Sequence, residues 1–341
     1  MDKLARASAQ ERRDLFSDVA AKLGIRPTII EKDFWVCLVL RILFADSPYK
    51  EHLVFKGGTS LSKVFQLINR FSEDIDLVLD WKMLGAGQDL AQTFDSKSQQ
   101  DKFNKEIDRL AGVFIKENLC PQLNDLFRRA KLDLTAQVDE REPQVVNISY
   151  PAAFSETYIR PEVRLEIGPL ASWVPSAAHT VRPYAFDIHP ELFENPNCPV
   201  IAIAAERTFW EKATILHQEA HRSGLIPSRH SRHYYDLYKL SLSPIRDNAV
   251  ADKQMLEAVV EFKTRFYPSA WARYDLAKPG SFRLLPTTNE QISNLEDDYL
   301  EMQIMLFGEP PSFSSIVTEL RSLESQINAA AVSGDTPLRS D

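Results

Sequence analysis

Apolar and polar positions alternate between two periods along this chain. Residues near 8–22 and 28–45 carry helical spacing, and the second stretch is amphipathic and starts just after Pro27. EHLVFK (51–56) reads as a short strand. In 59–69, Leu61, Val64, Phe65 and Ile68 recur at i, i+3, i+4 and i+7, which predicts a helix. In 74–80 the period drops to two: Ile75, Leu77 and Leu79 alternate with Asp74, Asp76 and Val78, which predicts a strand. A long helix is expected near 97–118, and strand-like runs follow near 131–138, 144–150 and 159–168. The Pro-rich stretch 183–199 reads as a connection. Beyond it helices are expected at 200–221, 230–241, 250–266, 289–306 and 312–329. Mixed α and β followed by all-α predicts an α+β protein in two parts. These are 1–195, with N-terminal helices and a mixed sheet, and a helical 196–330; the tail 331–341 is expected to be disordered. No internal repeat is visible.

Composition narrows the class. At 341 residues, 44% hydrophobic and 26% charged, the chain has the balance of a soluble globular protein. Its longest apolar run, Phe34 to Leu40, is too short to span a bilayer, and MDKLARASAQERRDLF lacks the apolar core of a signal peptide. Cys37, Cys120 and Cys198 are scattered and odd in number, which fits a reducing compartment better than a disulfide framework. A cytoplasmic protein with no membrane partner is expected. The formal net charge of −8 argues against non-specific coating of nucleic acid. One segment departs from this balance: Ala205 to Arg246 holds seven Lys/Arg against four Asp/Glu, with four histidines besides.

The chemistry concentrates in FKGGTSLSKVFQLINRFSEDIDLVL, Phe55 to Leu79. Gly57 and Gly58 lie between an expected strand and an expected helix, where a missing Cβ lets a ligand approach the backbone. The first helical turn, Thr59 to Ser62, offers N–H groups, and Thr59 and Ser60 add hydroxyls, all suited to phosphate. Asp74 and Asp76 stand at i and i+2 of a strand and therefore point to one face. Two such carboxylates repel each other, and a divalent cation relieves the repulsion; Mg²⁺ favours a few carboxylates plus phosphate oxygens. A phosphate cradle followed by a metal pair is equipment for in-line transfer from a nucleoside triphosphate. Taken singly, a Gly-Gly is commonly a tight turn and an Asp-x-Asp commonly a solvated face; their order and spacing together carry the reading.

This order, Gly-Gly, Ser60, then Asp74-Ile75-Asp76, resembles the signature of DNA polymerase β-type nucleotidyltransferases. More closely, FKGGTSLSKVF…RFSEDIDL is similar to the AbiEii/AbiGii toxin family, which includes the MenT toxins. IEKDFWVCLVLRIL (30–43), IRPEVRLEIG (159–168), ERTFWEKATILHQEAHR (206–222) and RHYYDLYKL (232–240) extend the resemblance over most of the chain. The resemblance implies a polymerase β-type core and a toxin of type IV toxin–antitoxin or abortive-infection (phage-defence) systems. It implies Mg²⁺ (or Mn²⁺) as cofactor, an NTP as substrate and, as in some members, a tRNA 3′ end as acceptor, whose modification blocks translation. It also implies an antitoxin encoded nearby (AbiEi-like), commonly without a stable complex.

By the same resemblance Gly58 and Ser60 hold the triphosphate and Asp74 and Asp76 bind metal. Ser72 joins that face if the strand starts early. Glu166 is the candidate third acid on a neighbouring strand, because Arg164, Glu166 and Gly168 alternate with Leu165 and Ile167; an edge-strand surface Glu is the competing reading. Lys212, in an otherwise apolar helix, is expected to reach the triphosphate as a point charge, against a solvated lysine paired with carboxylates. Asp236, among Tyr234, Tyr235, Leu237 and Tyr238, needs a partner if buried; it orients Lys212 or Arg232, or completes the site. Lys32 and Asp33 read as a structural ion pair. On charge alone, Arg222, Arg229, Arg232 and His233 are the candidates for contacting RNA.

Other signals are weaker. HQEAH (217–221) places histidines at i and i+4 but lacks the H-E-x-x-H order. Gly85-Ala86-Gly87 lacks the third glycine of a dinucleotide turn. No Walker motif and no G-x-S-x-G occurs. Two other functions stay open at this point. One is nucleotidyl transfer to a protein or small-molecule hydroxyl. The other is a degenerate nucleotide-binding module that engages a partner, against which Asp74 and Asp76 both speak.

Overall fold

The computed structural model describes residues 1–84, 94, 96–155 and 160–329. The Gly85-Ala86-Gly87 turn and the 331–341 tail lie outside the described residues. The chain forms two compact units: Met1–Gln66 with Phe71–Ile203, and Leu67–Arg70 with Ala204 onward.

The first unit is built on a mixed seven-stranded sheet. In chain order its strands are β1 (Leu53–Lys56), β2 (Asp74–Leu79), β3 (Thr135–Val138), β4 (Val145–Ser149), β5 (Glu162–Gly168), β6 (Ser176–Val181) and β7 (Cys198–Ile203). They lie in the order β3-β4-β5-β2-β1-β7-β6, with β2/β5 and β1/β7 parallel and the remaining pairs antiparallel. The register lines up Ala202, Phe55, Leu77 and Ile167 as one fully buried apolar row. On the other face Asp74 and Asp76 of β2 and Arg164, Glu166 and Gly168 of β5 are only half-buried, while Val78 further along β2 is buried. That alternation separates a core face from a face carrying Asp74, Asp76, Arg164 and Glu166.

The helix Pro27–Arg41, buried from Thr28 to Leu40, packs against β5 and β7. Before it, Ala9–Leu23 starts at a Ser8/Glu11 capping box and stops at the left-handed Gly24. The second unit is helical, with the long helices Ala205–Ala220, Ser231–Ser241, Lys253–Phe266, Asn289–Met302 and Phe313–Ala329.

The structure corrects the sequence pattern at several places. The helix expected over 59–69 spans Gly57–Lys63 and ends before a positive φ at Gln66. Leu67–Arg70 then belongs to the second unit, where Arg70 bridges Leu306 and Asn69 accepts from the Phe307 N–H at 2.8 Å. Ile68 keeps helical spacing in sequence but buries itself in that other setting. The helix expected over 200–221 is two elements, β7 and Ala205–Ala220. Val200 to Ile203 is a short apolar run, whose period does not separate helix from buried strand; pairing beside β1 makes it a strand. β6, paired to β7, and the helix Cys120–Arg129 were not anticipated.

Candidate active site

The turn between β1 and the Gly57–Lys63 helix is shaped by Gly57. Its φ is +79°, and a Cβ there would overlap the Asp76 carboxylate. Conformation and space therefore both demand glycine. Gly58 is buried behind it. The Thr59 hydroxyl donates to the carbonyls of Ser72 and Asp74, which ties the first helical turn to the start of β2. The Ser60 hydroxyl donates to the Gly57 carbonyl at 2.9 Å. Both hydroxyls thus bind backbone, so the part of this turn left for a ligand is its backbone. Strand β2 begins at Asp74, so Ser72 precedes the strand and meets Thr59 through its carbonyl.

The helix is clamped from its far end. Lys63 Nζ lies 2.6 Å from Asp33 Oδ1 and 3.7 Å from the centre of the Tyr184 ring, while the Tyr184 N–H donates to Asp33 Oδ2 at 2.7 Å. Lys32 instead pairs with Glu73 at 2.8 Å. Lys32 and Asp33, which the sequence reads as a structural ion pair, each have a partner elsewhere, Lys32 in Glu73 just before β2 and Asp33 in Lys63 on the helix.

Register places the acids. Asp76 on β2 is opposite Glu166 on β5 and Lys56 on β1, and Asp74 is opposite Arg164. Asp76 and Glu166 are like charges directly adjacent across strands, an arrangement that costs stability unless a cation intervenes. They line a cavity of about 550 Å³ together with Lys56, Arg109, Arg141 and Gln144. Glu166 Oε1 accepts from Arg164 Nε at 3.0 Å. Among the described residues no three His, Cys, Asp or Glu side chains are gathered closely enough to grip a metal. The donor set nonetheless suits one. Asp74 and Asp76 are hard oxygen ligands on one strand face, and Glu166 shares that face one strand away. Sequence reading missed Lys56, although its place just before Gly57 makes it the neighbour of whatever faces the turn.

Gly57→Ala is expected to displace Asp76 and lower transfer by about a hundredfold or more, because a misplacement of about 1 Å near the chemistry costs that much. Activity near the wild-type level would show that the close approach is dispensable.

In the second unit Asp236 is fully buried and takes a fork from Arg70, at 2.7 and 2.8 Å, with Lys212 Nζ at 2.9 Å. Burial alone would push the Asp236 carboxyl up; Arg70 and Lys212 outweigh it and hold it well below the usual carboxylate range. Burial lowers the Lys212 ammonium, with Asp236 acting against that. Of the partners considered for Asp236, Lys212 is present; the second cation is Arg70, and Arg232 has its Nε buried without a hydrogen-bond partner. Arg70 was missed although RFSEDIDL contains it, because its partner lies 166 positions away. Lys212 is buried, not solvated, and is paired with the Asp236 carboxylate.

The four residues read as an RNA surface differ in character. Burial and the neighbouring Lys212 and Arg232 hold His233 far below the ordinary histidine range, so at neutral pH it adds no positive charge. Arg222 is bound to Glu219 at 2.5 and 3.1 Å and lies 4.4 Å from the Trp271 ring centre. Arg229 is exposed, with a left-handed φ of +65°. His217 of the HQEAH segment is a core histidine. Its Nδ1 accepts from the Arg283 N–H and its Nε2 faces the Arg273 carbonyl, and burial holds its pKa near about 4.

No curated protein sequence matches the chain. Among solved structures it is similar to MenT4, a nucleotidyltransferase toxin from Mycobacterium tuberculosis H37Rv, with 16% identity and a TM-score of 0.48 over 95% of this chain and 90% of that one. The family model for the AbiEii nucleotidyltransferase toxin of type IV toxin–antitoxin systems matches residues 39–321, a span that contains the Gly57 turn, Asp74, Asp76, Glu166, Lys212 and Asp236. The chain belongs to the AbiEii family of nucleotidyltransferase toxins.

Proposed function

We propose that this protein transfers a nucleotidyl group from an NTP to the 3′ end of a tRNA and thereby blocks translation, under the control of an antitoxin encoded nearby. The observation that carries the reading is the sheet register, with Asp76 beside Glu166, Asp74 on the same face, and Asp76 seated against Gly57. Gly57 gives the Asp76 carboxylate its place against the turn, and the N–H groups from Gly58 to Ser60 donate to a phosphate. Asp74 and Asp76 would hold Mg²⁺, with Glu166 as third ligand, and a metal bound there would neutralise charge on the reacting phosphate. Lys56, opposite Asp76, keeps the row of acids from accumulating unbalanced negative charge. Lys63 and Asp33 fix the helix that carries the phosphate turn.

The test is to incubate the protein with Mg²⁺, each labelled NTP in turn and total RNA. Label in a tRNA band supports the proposal. Label on protein or small molecules would move the acceptor to another hydroxyl, and no metal-dependent label with any NTP would sink transfer altogether.

RNA binding through the basic segment has its own test. Arg229→Ala is the better probe, because Arg229 is exposed whereas removing Arg222 would strand the buried Glu219. Each cation withdrawn from a phosphate should lower the slope of log affinity against log salt by roughly 0.7–0.9. An unchanged slope would put the RNA elsewhere on the surface.

A further inference from the structure

Arg164 lies among the acids without a part in the reaction proposed above. It is only 26% exposed, stands opposite Asp74 in the sheet and reaches along its own strand to Glu166, two residues on. Its guanidinium has a second attachment: Nη2 donates to Glu142 Oε2 at 2.7 Å, and Nη1 lies 3.9 Å from Asp139 Oδ2. Both carboxylates belong to the turn between β3 and β4, and that turn is firmly built. Asp139 Oδ1 accepts from the N–H groups of Arg141 and Glu142 at 2.9 and 3.2 Å, and Asn147 Nδ2 donates to Asp139 Oδ2 at 3.1 Å. The Gln144 carbonyl accepts from the Ile167 N–H at 2.9 Å, fastening the turn to β5 beside Glu166. One guanidinium is therefore shared between Glu166 and a fixed acidic turn whose Glu142 lines the same cavity as Asp76 and Glu166.

We propose that Arg164 is a resident counter-ion that competes with the divalent metal for Glu166, and that Glu142 and Asp139 retain its guanidinium when the metal takes Glu166. The inference rests on the reading of Glu166 as third metal ligand. Without a metal, Asp76 and Glu166 are adjacent like charges; Lys56 stands opposite Asp76, and Arg164 is bonded to Glu166. When Glu166 turns to a metal, only the Nε bond breaks. The Nη2 bond to Glu142 remains, and two turn carboxylates still offset the single positive charge. Arg164 is thus a positioning residue that sets the metal affinity of the site and is not itself a reacting group.

Binding of Mn²⁺ alone to the full chain, without nucleotide, measures this, with thermal melts confirming that each variant is folded. Arg164→Ala should tighten Mn²⁺ by about fivefold and Glu142→Gln should loosen it by about threefold, the scale of a partly exposed ion pair. Simple removal of a nearby charge predicts those same signs. The decisive measurement is therefore Glu142→Gln in the Arg164→Ala background. If Glu142 acts through Arg164, its effect disappears there; if the two effects add, the competition is refuted. Arg164→Gln replaces Arg164→Ala in the same cycle should the alanine variant fail to fold. Glu166→Gln separates the two levels of the argument. Unchanged Mn²⁺ affinity in that variant removes Glu166 from the metal site, whereas weakened affinity with additive Arg164 and Glu142 effects leaves the third acid standing and removes only the hand-off.

Discussion

Asp76→Ala is expected to lower nucleotidyl transfer by about a thousandfold or more while the protein stays folded. The size follows from the proposed role: a metal held at the reacting phosphate is worth several kcal/mol of transition-state stabilisation, and about 4 kcal/mol is a thousandfold. Persistence of the fold follows from position. Asp76 is half-buried on the face opposite the apolar row of Phe55, Leu77 and Ile167, and its cross-strand neighbour Glu166 is a like charge. Removing Asp76 costs no core packing and relieves that repulsion, but it also takes a carboxylate from Lys56 opposite, so the melting temperature should change little. The same variant, expressed without its antitoxin, should leave growth unimpaired where the wild type slows it. Transfer at the wild-type rate in folded Asp76→Ala would end the metal-pair mechanism. Equal growth arrest by both proteins would point to sequestration or aggregation as the cause.

Asp236→Asn has a different signature. It leaves Arg70 and Lys212, both almost fully buried, without their anion, and breaking a buried ion pair by deleting one partner costs about 3–5 kcal/mol. For a unit of this size that is a fall of roughly 10 °C in the melting of the helical part. The pH dependence has a definite sign. Asp236 has a folded-state pKa depressed below its unfolded value, so its stabilisation is fully present above the unfolded carboxylate value of about 3.9. That stabilisation is lost only as pH falls through the still lower folded value. Acidification to pH 4 should therefore leave the triad intact in the wild type. Replacing all three residues by apolar ones (Arg70→Met, Lys212→Met, Asp236→Leu) should recover much of the stability that Asp236→Asn removes. A fully stable Asp236→Asn without transfer activity would instead place Asp236 in the chemistry. Lys212→Glu sets an acid against buried Asp236, so a loss of nucleotide binding in that variant has meaning only if the melt is unchanged.

Several parts of this molecule were legible because they depend on neighbours in sequence. The period of two in β2 put Asp74 and Asp76 on one face, and the alternation in β5 put Glu166 on one face of its own strand. The strands of 131–168 and the helices 231–241 and 313–329 lie close to where the pattern set them. Elements were missed where local signals are ambiguous. Val200 to Ile203 has no decisive period, and Ile68 continues a helical spacing that the chain abandons after Lys63. Residues whose partners are remote in sequence were assigned incompletely. Lys212 and Asp236 were noted, but Arg70 and the closing of a three-charge group were not. The charge count of 205–246 treated every cation alike, whereas burial silences His233 and Glu219 occupies Arg222.

By itself the sequence determined which groups can do chemistry, because motif spacing within one strand or one turn is a local property: a double glycine, then two carboxylates on one strand face. Only the tertiary structure decided how those groups meet. Parallel pairing of β2 with β5 set Asp76 beside Glu166, and the +79° φ at Gly57 let the Asp76 carboxylate sit against the turn. Folding also gave Arg164 two competing partners and buried Asp236 between two cations. The physical reason is that strand register and desolvation are set by contacts between residues far apart in the chain, which no local period encodes.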